Sequence, residues 1–293
     1  MIRTVPIAAA SLACAIAAPL AAQDQGEPGV TATVEGDTVF DGDYLSVGIG
    51  AAYNPSYSGS DDYVVSVLPI IQGSLGGVDI NPRPAGLALD FLPDAEDGPS
   101  FSLGPLIKLN RDRVDIDEIE DDVVAAYGEL DTAVELGISA GVSFPKQLNP
   151  YDSLSINVDA GWDVAGAHSG MAISPSVTYF TPLSRAMAVS LSASATWIDD
   201  DYADYYYSVP TFNTLLPAPD LLPAYEADGG FESVGTNLLV AYDLNGDVTD
   251  GGLALIGIGG YSRLLGDAAD TPFTSQRGSA DQFFAAIGVG YTF

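Results

Sequence analysis

The chain has few basic residues, one histidine and one cysteine, and each scarcity excludes a class of function. Lys and Arg together number 9 against 40 Asp and Glu, which gives a formal net charge of −31. A surface of that sign repels phosphate backbones, so a nucleic-acid partner is excluded. Cys14 is the single cysteine of 293 residues, which excludes a disulfide framework and a site built from several thiolates.

The N-terminus has the features of a secretory signal peptide, which we expect to comprise residues 1–22. Arg3 precedes an Ala-rich apolar stretch, and small residues ending at Ala22 precede polar sequence. Residues 23–43 are expected to form a polar lead-in. A lipoprotein acylated at Cys14 is the less favoured alternative, because the apolar stretch before it is short.

Beyond this leader, no run of 18 or more apolar residues exists, which excludes a membrane protein built from helices. Hydrophobic residues nevertheless make up 47% of the chain, and only 17% are charged. A transmembrane β-barrel reconciles these facts. Its lipid-facing residues alternate with small or polar lumen residues and never form a long run.

The last eleven residues, 283–293, show this alternation most clearly. One face carries Phe283, Ala285, Ile287, Val289, Tyr291 and Phe293, and the other carries Phe284, Ala286, Gly288, Gly290 and Thr292. A strand that spans an outer membrane needs about 9 to 11 residues, alternate lipid-facing side chains and aromatics at both interfaces. We therefore predict a membrane strand here, with Gly288 facing the lumen. A strand of a soluble sandwich is the alternative.

The same pattern predicts an all-β fold, a single antiparallel transmembrane β-barrel over residues 44–293. Twelve strands are expected, at 44–53, 63–73, 76–81, 85–91, 100–110, 136–144, 154–162, 171–179, 187–197, 233–242, 252–264 and 283–293. Pro82 and Pro84 interrupt the third and fourth strands. Losing that pair would give ten strands.

The alternation of long and short connections along the chain assigns each connection to one side of the membrane. With both termini in the periplasm, long loops and short turns must alternate. Outer loops are then predicted at 54–62, 81–84, 111–130, 164–170, 198–231 and 266–281, and inner turns near 76 and at 93–99, 145–151, 181–185 and 243–251. The two longest connections both lie outside.

Two sets of charged residues are candidates for function. Possible lumen charges are Lys108, Glu135, Asp159 and Asp163, and possible contacts for a basic periplasmic partner are Asp243, Asp247 and Asp250. Lumen charges either line a water path that favours cations or pair across the lumen and brace a closed barrel. The inner turn at Asp243 opens like a Ca²⁺ loop but lacks the later Gly and Glu, so we expect a hairpin turn.

Catalytic and metal sites are not expected. His168 stands beside Ser169 with Asp163 nearby, the residue types of an acyl-transfer enzyme. Adjacent Ser and His rarely bring Oγ to the ring, so we expect a solvent-exposed loop histidine, no catalytic residue and no cofactor. The acidic runs at 115–122 and 199–201 offer oxygen ligands for Ca²⁺ or Mg²⁺, but solvated loops are favoured. The tyrosine-rich loop at 202–225 is expected to be a folded lid or an adhesive surface.

Several motifs carry a family resemblance over most of the chain. They are LLGDAADTP at 264–272 with GS at 278–279, YSGSD at 57–61, GPLI at 104–107, and ATW at 195–197 followed by DDDY at 199–202. On these motifs the chain resembles the MipA/OmpV family of outer-membrane proteins. It departs from the family at YYSV, 206–209, and in a Pro-rich insert at 215–223.

The resemblance implies a protein of the outer membrane of a Gram-negative bacterium, in contact with lipid and lipopolysaccharide. It also implies a non-enzymatic scaffold that holds a lytic transglycosylase near a murein synthase. The alternative function is a narrow diffusion channel for small solutes or cations.

Overall fold

Twelve antiparallel strands close into a barrel in the computed structural model, which describes residues 38–95, 98–211 and 221–293. Each strand pairs with its neighbours in the chain, and the first strand pairs with the last. The strands are β1 (Tyr44–Pro55), β2 (Tyr63–Leu75), β3 (Val78–Arg83), β4 (Gly86–Asp90), β5 (Ser100–Asn110), β6 (Ala133–Pro145), β7 (Ser153–Asp163), β8 (Met171–Ser184), β9 (Met187–Ile198), β10 (Gly230–Asp243), β11 (Gly252–Leu264) and β12 (Asp281–Thr292). The twelve-strand prediction is confirmed. The predicted signal peptide lies outside the described residues.

The connections at one end of the barrel are long and carry the helices, and we call this the outer end because outer-membrane barrels have their long loops outside. The α-helices are α1 (Asp122–Ala125), α2 (Asp200–Tyr207), α3 (Gly266–Asp270) and α4 (Pro272–Ser275), and one 3₁₀ turn, Ile116–Glu118, precedes α1. None of the helices in the described residues has the length and apolar character for a membrane crossing.

Alternation sorts side chains between lipid and lumen as predicted. In β12, Ile287 is 69% exposed on the outer surface between Phe283 and Phe293, whereas Gln282 and Thr292 on the other face are buried. Exposed Val, Leu, Ile and aromatic side chains recur at alternate positions of the other strands. This apolar belt holds the barrel in the membrane because it removes hydrocarbon surface from water.

Small residues close the barrel where β1 meets β12. Gly48 pairs with Gly290, and Gly50 pairs with Gly288. A Cβ at Gly288 would lie 2.9 Å from the carbonyl oxygen of Ile49, closer than such contacts normally come. Gly288 therefore faces the lumen as predicted, but it has no room for a side chain.

The wall is weakest between β2 and β3. Their ladder extends from Leu75 and Val78 to Gly73 and Ile80 and then stops. The next position of β3 that would bond to β2 is Pro82, which has no N–H to donate. Among the described residues, β2 from Tyr63 to Gln72 pairs with β1 alone. The prolines thus shorten the third and fourth strands without removing them.

The end of the lead-in packs into the inner end of the barrel. A 3₁₀ turn at Val39–Asp41 places Phe40 against buried lumen residues of β10, β11 and the turn between them: Leu239, Ala241, Val248, Ala254 and Ile256. The N–H of Val39 donates to the carbonyl of Thr249 over 3.0 Å. The expectation of a small, polar lumen face is wrong at this end, where the lumen is filled by an apolar cluster.

A charge on the lipid face should block assembly, whereas a polar atom on the lumen face should not. Ile287→Arg is expected to destabilise the inserted barrel by about 2 to 4 kcal/mol, since a cation near mid-membrane is desolvated. Ala286→Ser, the neighbouring lumen position, is the matched control. Urea unfolding of protein refolded into vesicles measures both, and equal stabilities would show that the register is wrong.

Candidate functional site

Three of the four predicted lumen charges, Lys108, Glu135 and Asp159, form ion pairs inside the barrel. Asp159 of β7 meets Arg83 at the end of β3, with 2.6 Å between Oδ2 and Nε. The Arg83 side chain is 7% exposed and also donates to Oγ of Ser139 on β6 over 3.0 Å. Because β3 and β7 are four strands apart, this contact crosses the lumen. The short hairpin is therefore joined by one guanidinium group to β6 and β7, three and four strands away.

A second charged group lies nearer the outer end. Glu135 of β6 is 2% exposed, and its Oε2 lies 3.7 Å from Nζ of Lys108 on β5. Its Oε1 lies 3.7 Å from Nε2 of His168. A carboxylate this deeply buried is costly unless cations and hydrogen bonds surround it. The Lys108 ammonium lies near one carboxylate oxygen and the His168 ring near the other, both beyond ordinary hydrogen-bond length.

His168 is buried, so the expectation of a solvent-exposed histidine is wrong. Its side chain is 0% exposed, and its Nδ1 accepts the N–H of Gly170 over 3.0 Å. Its ring packs against Tyr202, with 4.6 Å between centroids, and against Tyr206. The histidine joins the loop 164–170 to helix α2 and to the lumen carboxylate.

Asp163, the fourth predicted lumen charge, organises the same loop. Its two carboxylate oxygens accept the N–H groups of Ala165 and Ser169 over 2.9 and 3.0 Å. Ser169 has a positive φ of 56°, a conformation that needs such local support. Asp163 therefore fixes the loop that carries His168.

One aspartate from each acidic run of the outer loops caps an α-helix. Asp199 accepts the N–H of Tyr202 over 3.1 Å and that of Met171 over 2.9 Å, so it starts α2 and ties it to β8. Asp121 caps α1 and forms an ion pair with Arg277 at 2.6 Å. The expectation of fully solvated acidic loops is wrong for these two residues.

The outer loops together form a cap with its own apolar core. Two buried clusters contain Ile198, Tyr202, Ala203, Tyr206, Tyr207, Leu264 and Ala268 in one, and Tyr57, Ile119, Val124, Val209, Leu222 and Phe273 in the other. Arg113 stacks over the ring of Phe273 at 4.7 Å. The folded lid expected for the tyrosine-rich loop is thus present, and four other loops contribute to it.

The cap is attached to strands on opposite sides of the barrel. Tyr202 accepts a hydrogen bond from Asn110 at the end of β5 over 2.9 Å, and Tyr207 donates to Glu232 of β10 over 2.5 Å. Gln282 of β12 donates to the carbonyl of Ser60 over 3.0 Å. Burial raises the pKa of Tyr202 and Tyr207 well above 10, which keeps both phenols protonated. The cap therefore spans the outer mouth.

The inner turn between β10 and β11 carries the three predicted partner contacts, and these differ in how far they are exposed. Asp243 is 2% exposed, and its Oδ1 accepts the N–H groups of residues 245–247. Its carboxylate therefore builds the turn and is not available to a partner, which corrects the prediction for this residue. Asp247 is half-buried and pairs with Arg185 at 3.0 Å, and Asp250 is exposed.

A second inner turn, between β6 and β7, is fixed by Asp152. Its carboxylate accepts the N–H groups of Gln147, Leu148 and Asn149 and the hydroxyl of Tyr179, at 2.6 to 3.0 Å. Leu148 at the tip is 82% exposed. This turn presents an apolar side chain on a rigid backbone.

A model of the family described as "MltA-interacting protein MipA" matches residues 47–293. The chain belongs to the MipA family. Family membership and the closed barrel place this protein in the outer membrane of Gram-negative bacteria. No match was found among curated protein sequences.

Several solved outer-membrane barrels are similar to the MipA-family chain. The COG4313 outer membrane channel from Pseudomonas putida F1 is 16% identical, with 86% of this chain and 96% of that one covered and a TM-score of 0.44. The channel DcaP of Acinetobacter baumannii is 13% identical, covering 83% and 61%, with a TM-score of 0.37. The anion-selective porin from Comamonas acidovorans is 10% identical, covering 86% and 98%, with a TM-score of 0.36.

Breaking the ion pair that crosses the lumen should destabilise the MipA-family barrel strongly. Arg83→Met leaves the Asp159 carboxylate buried without its cation, and loss of one partner of a buried pair typically costs about 3 to 5 kcal/mol. Arg185→Met, which breaks the exposed pair with Asp247, is the control and should change little. Urea unfolding in vesicles measures both variants. Similar small losses would argue against a bracing role for Arg83.

The turn fixed by Asp152 should make stability depend on acidic pH. Burial of Asp152 alone would raise its pKa, but its hydrogen bonds with Tyr179 and the backbone hold the pKa below the ordinary value. Its stabilisation is thus complete above the unfolded-state pKa of about 3.9 and is lost as pH falls through the lower folded-state pKa. Unfolding free energies between neutral and strongly acidic pH should fall less steeply for Asp152→Asn than for the unaltered protein. Asp117→Asn, in an exposed loop, should follow the unaltered profile.

Proposed function

We propose that this MipA-family protein is a non-enzymatic scaffold, a closed barrel that holds a murein hydrolase and a murein synthase at the inner face of the outer membrane. The observation that supports this most is the cap, which is hydrogen-bonded to β5, β10 and β12 across the outer mouth. An apolar cluster with Phe40 fills the inner end of the lumen. A barrel that is obstructed at both ends is better suited to a scaffold than to a diffusion channel.

The partner surface in this proposal consists of the inner turns. Asp250 is exposed, Asp247 is partly so, and Leu148 protrudes from the turn between β6 and β7, with the turn between β8 and β9 lying between the two. An inner surface that offers both acidic groups and an apolar side chain fits a basic partner, because charges steer association while apolar contact supplies affinity. The name of the family refers to interaction with MltA, which agrees with a lytic transglycosylase as that partner.

A narrow diffusion channel is the second candidate, favoured by a polar cavity of about 340 Å³ in the outer half of the lumen. For conduction, the cap and the contact between Arg83 and Asp159 would both have to move. The scaffold needs no such movement.

Retention of a murein enzyme tests the scaffold. The purified protein, immobilised in detergent, should retain a lytic transglycosylase from a periplasmic extract. Neutralising Asp247 and Asp250 together, as Asp247→Asn and Asp250→Asn, should slow association and weaken its salt dependence, since rim charges act mainly on the on-rate. The matched control neutralises Asp61 and Asp62 in an exposed outer loop. No retained murein enzyme, or equal effects of both pairs, would contradict the proposal.

A further inference from the structure

The polar cavity in the outer half of the lumen has the size of a small-molecule site. Its volume of about 340 Å³ lies between the cap and the lumen wall formed by β1 and β9 to β12. Binding pockets typically measure about 300 to 1,000 Å³. Asn54, Asn237 and Gln282 line it, together with serine residues of β9, β10 and β11, and the amides of Asn54 and Gln282 already have hydrogen-bond partners within the protein. Amide and hydroxyl groups can both donate and accept hydrogen bonds, which suits a ligand with several hydroxyl groups.

All the charge in the lining is negative. Asp112 and Glu232 face the cavity, and no Lys, Arg or His lines it within the part of the chain that the structure describes. Glu232 accepts a hydrogen bond from Tyr207 over 2.5 Å, but no ion pair of Glu232 is found among the described residues. A carboxylate removed from bulk water without a cation is costly. A ligand ammonium group would supply the missing charge.

A β-bulge aims Glu232 into this cavity. The register of β10 against β9 pairs Phe231 with Trp197 and Ser233 with Thr196, so Glu232 is the extra residue. Bulges are frequent next to binding sites, where they re-aim a side chain. Phe231 remains on the lipid face with 59% exposure, while the inserted glutamate turns to the lumen. The bulge thus places a charge at a position that regular alternation would give to lipid.

Asp112 is the second acid, and its cation is turned away from the cavity. One oxygen of Asp112 accepts the N–H of Ser58 over 2.8 Å, and the other lies 3.6 Å from Nε of Arg113. The Arg113 guanidinium stacks on Phe273 and donates to the carbonyl of Tyr206 within the cap. Asp112 therefore contributes a second carboxylate to the cavity wall, with Arg113 as its ion-pair partner on the side of the cap.

We propose that this cavity binds a small hydroxylated amine, with the ammonium group between Glu232 and Asp112 and the hydroxyls on the amide of Asn237 and the serine hydroxyls of β9, β10 and β11. Anions are disfavoured by both carboxylates, and neutral polyols leave Glu232 without a cation. The cavity lies at the outer end, away from the inner turns of the scaffold proposal. Either proposal can therefore fail alone.

Glucosamine and N-acetylglucosamine are matched probes, because acetylation removes the ammonium group and keeps the sugar ring. Titration calorimetry of the full protein in detergent should show saturable 1:1 binding of glucosamine, and at least about tenfold weaker binding of N-acetylglucosamine, since a charge-assisted hydrogen bond is lost. This comparison needs no variant. Equal affinities, or no binding of glucosamine, would overturn the proposal.

Variants then locate the site. Glu232→Gln keeps an oxygen for Tyr207 but removes the charge, and it should weaken glucosamine binding by about tenfold with little effect on N-acetylglucosamine. Asp112→Asn should act in the same direction, and Glu120→Gln in an exposed loop should have no effect. The shift in gel migration on heating verifies that each barrel is folded. If folded Glu232→Gln bound glucosamine as well as the unaltered protein does, the site would be elsewhere.

Discussion

The structure depends on the requirement that backbone N–H and C=O groups inside a membrane find partners within the protein. A sheet meets it by closing on itself, which is why β1 pairs with β12 and why glycines meet at that junction. The ladder between β2 and β3 is the exception. It stops at Pro82, and Pro69 on β2 likewise has no N–H. Prolines on both sides reduce the number of donors that lack a partner.

Closure leaves polar and charged side chains in the lumen, and they determine how the barrel is filled. Asp159 and Arg83 pair across it, while Glu135 is placed between Lys108 and His168. His168 connects this network to helix α2, so the outer cap and the lumen charges form one continuous structure. The cap consequently contains an apolar core of its own and is connected to Glu135 in the lumen through His168.

The fold could be predicted from the sequence because a membrane strand repeats every two residues and shows its lipid face directly. The short hairpin has the least regular sequence pattern, since Pro82 and Pro84 reduce the strand signal without abolishing the strands. Contacts distant in sequence could not be predicted: nothing near Arg83 indicates Asp159, and nothing near His168 indicates that Tyr202 buries it. Local sequence signals do exist for the N-cap of α2 and for the turn at Asp243. Asp199 precedes α2 in an N-cap position, and the Asp243 turn contains Asn245 and Gly246.

The central claim is that the cap and the lumen contacts close the barrel, and conductance tests it most directly. Purified protein inserted into planar bilayers should show no steady open-channel current, because five packed loops, the pair of Arg83 with Asp159 and the inner apolar cluster obstruct the path through the lumen. A steady, cation-selective conductance that falls when Glu135 or Asp159 is neutralised would contradict the account and favour a channel.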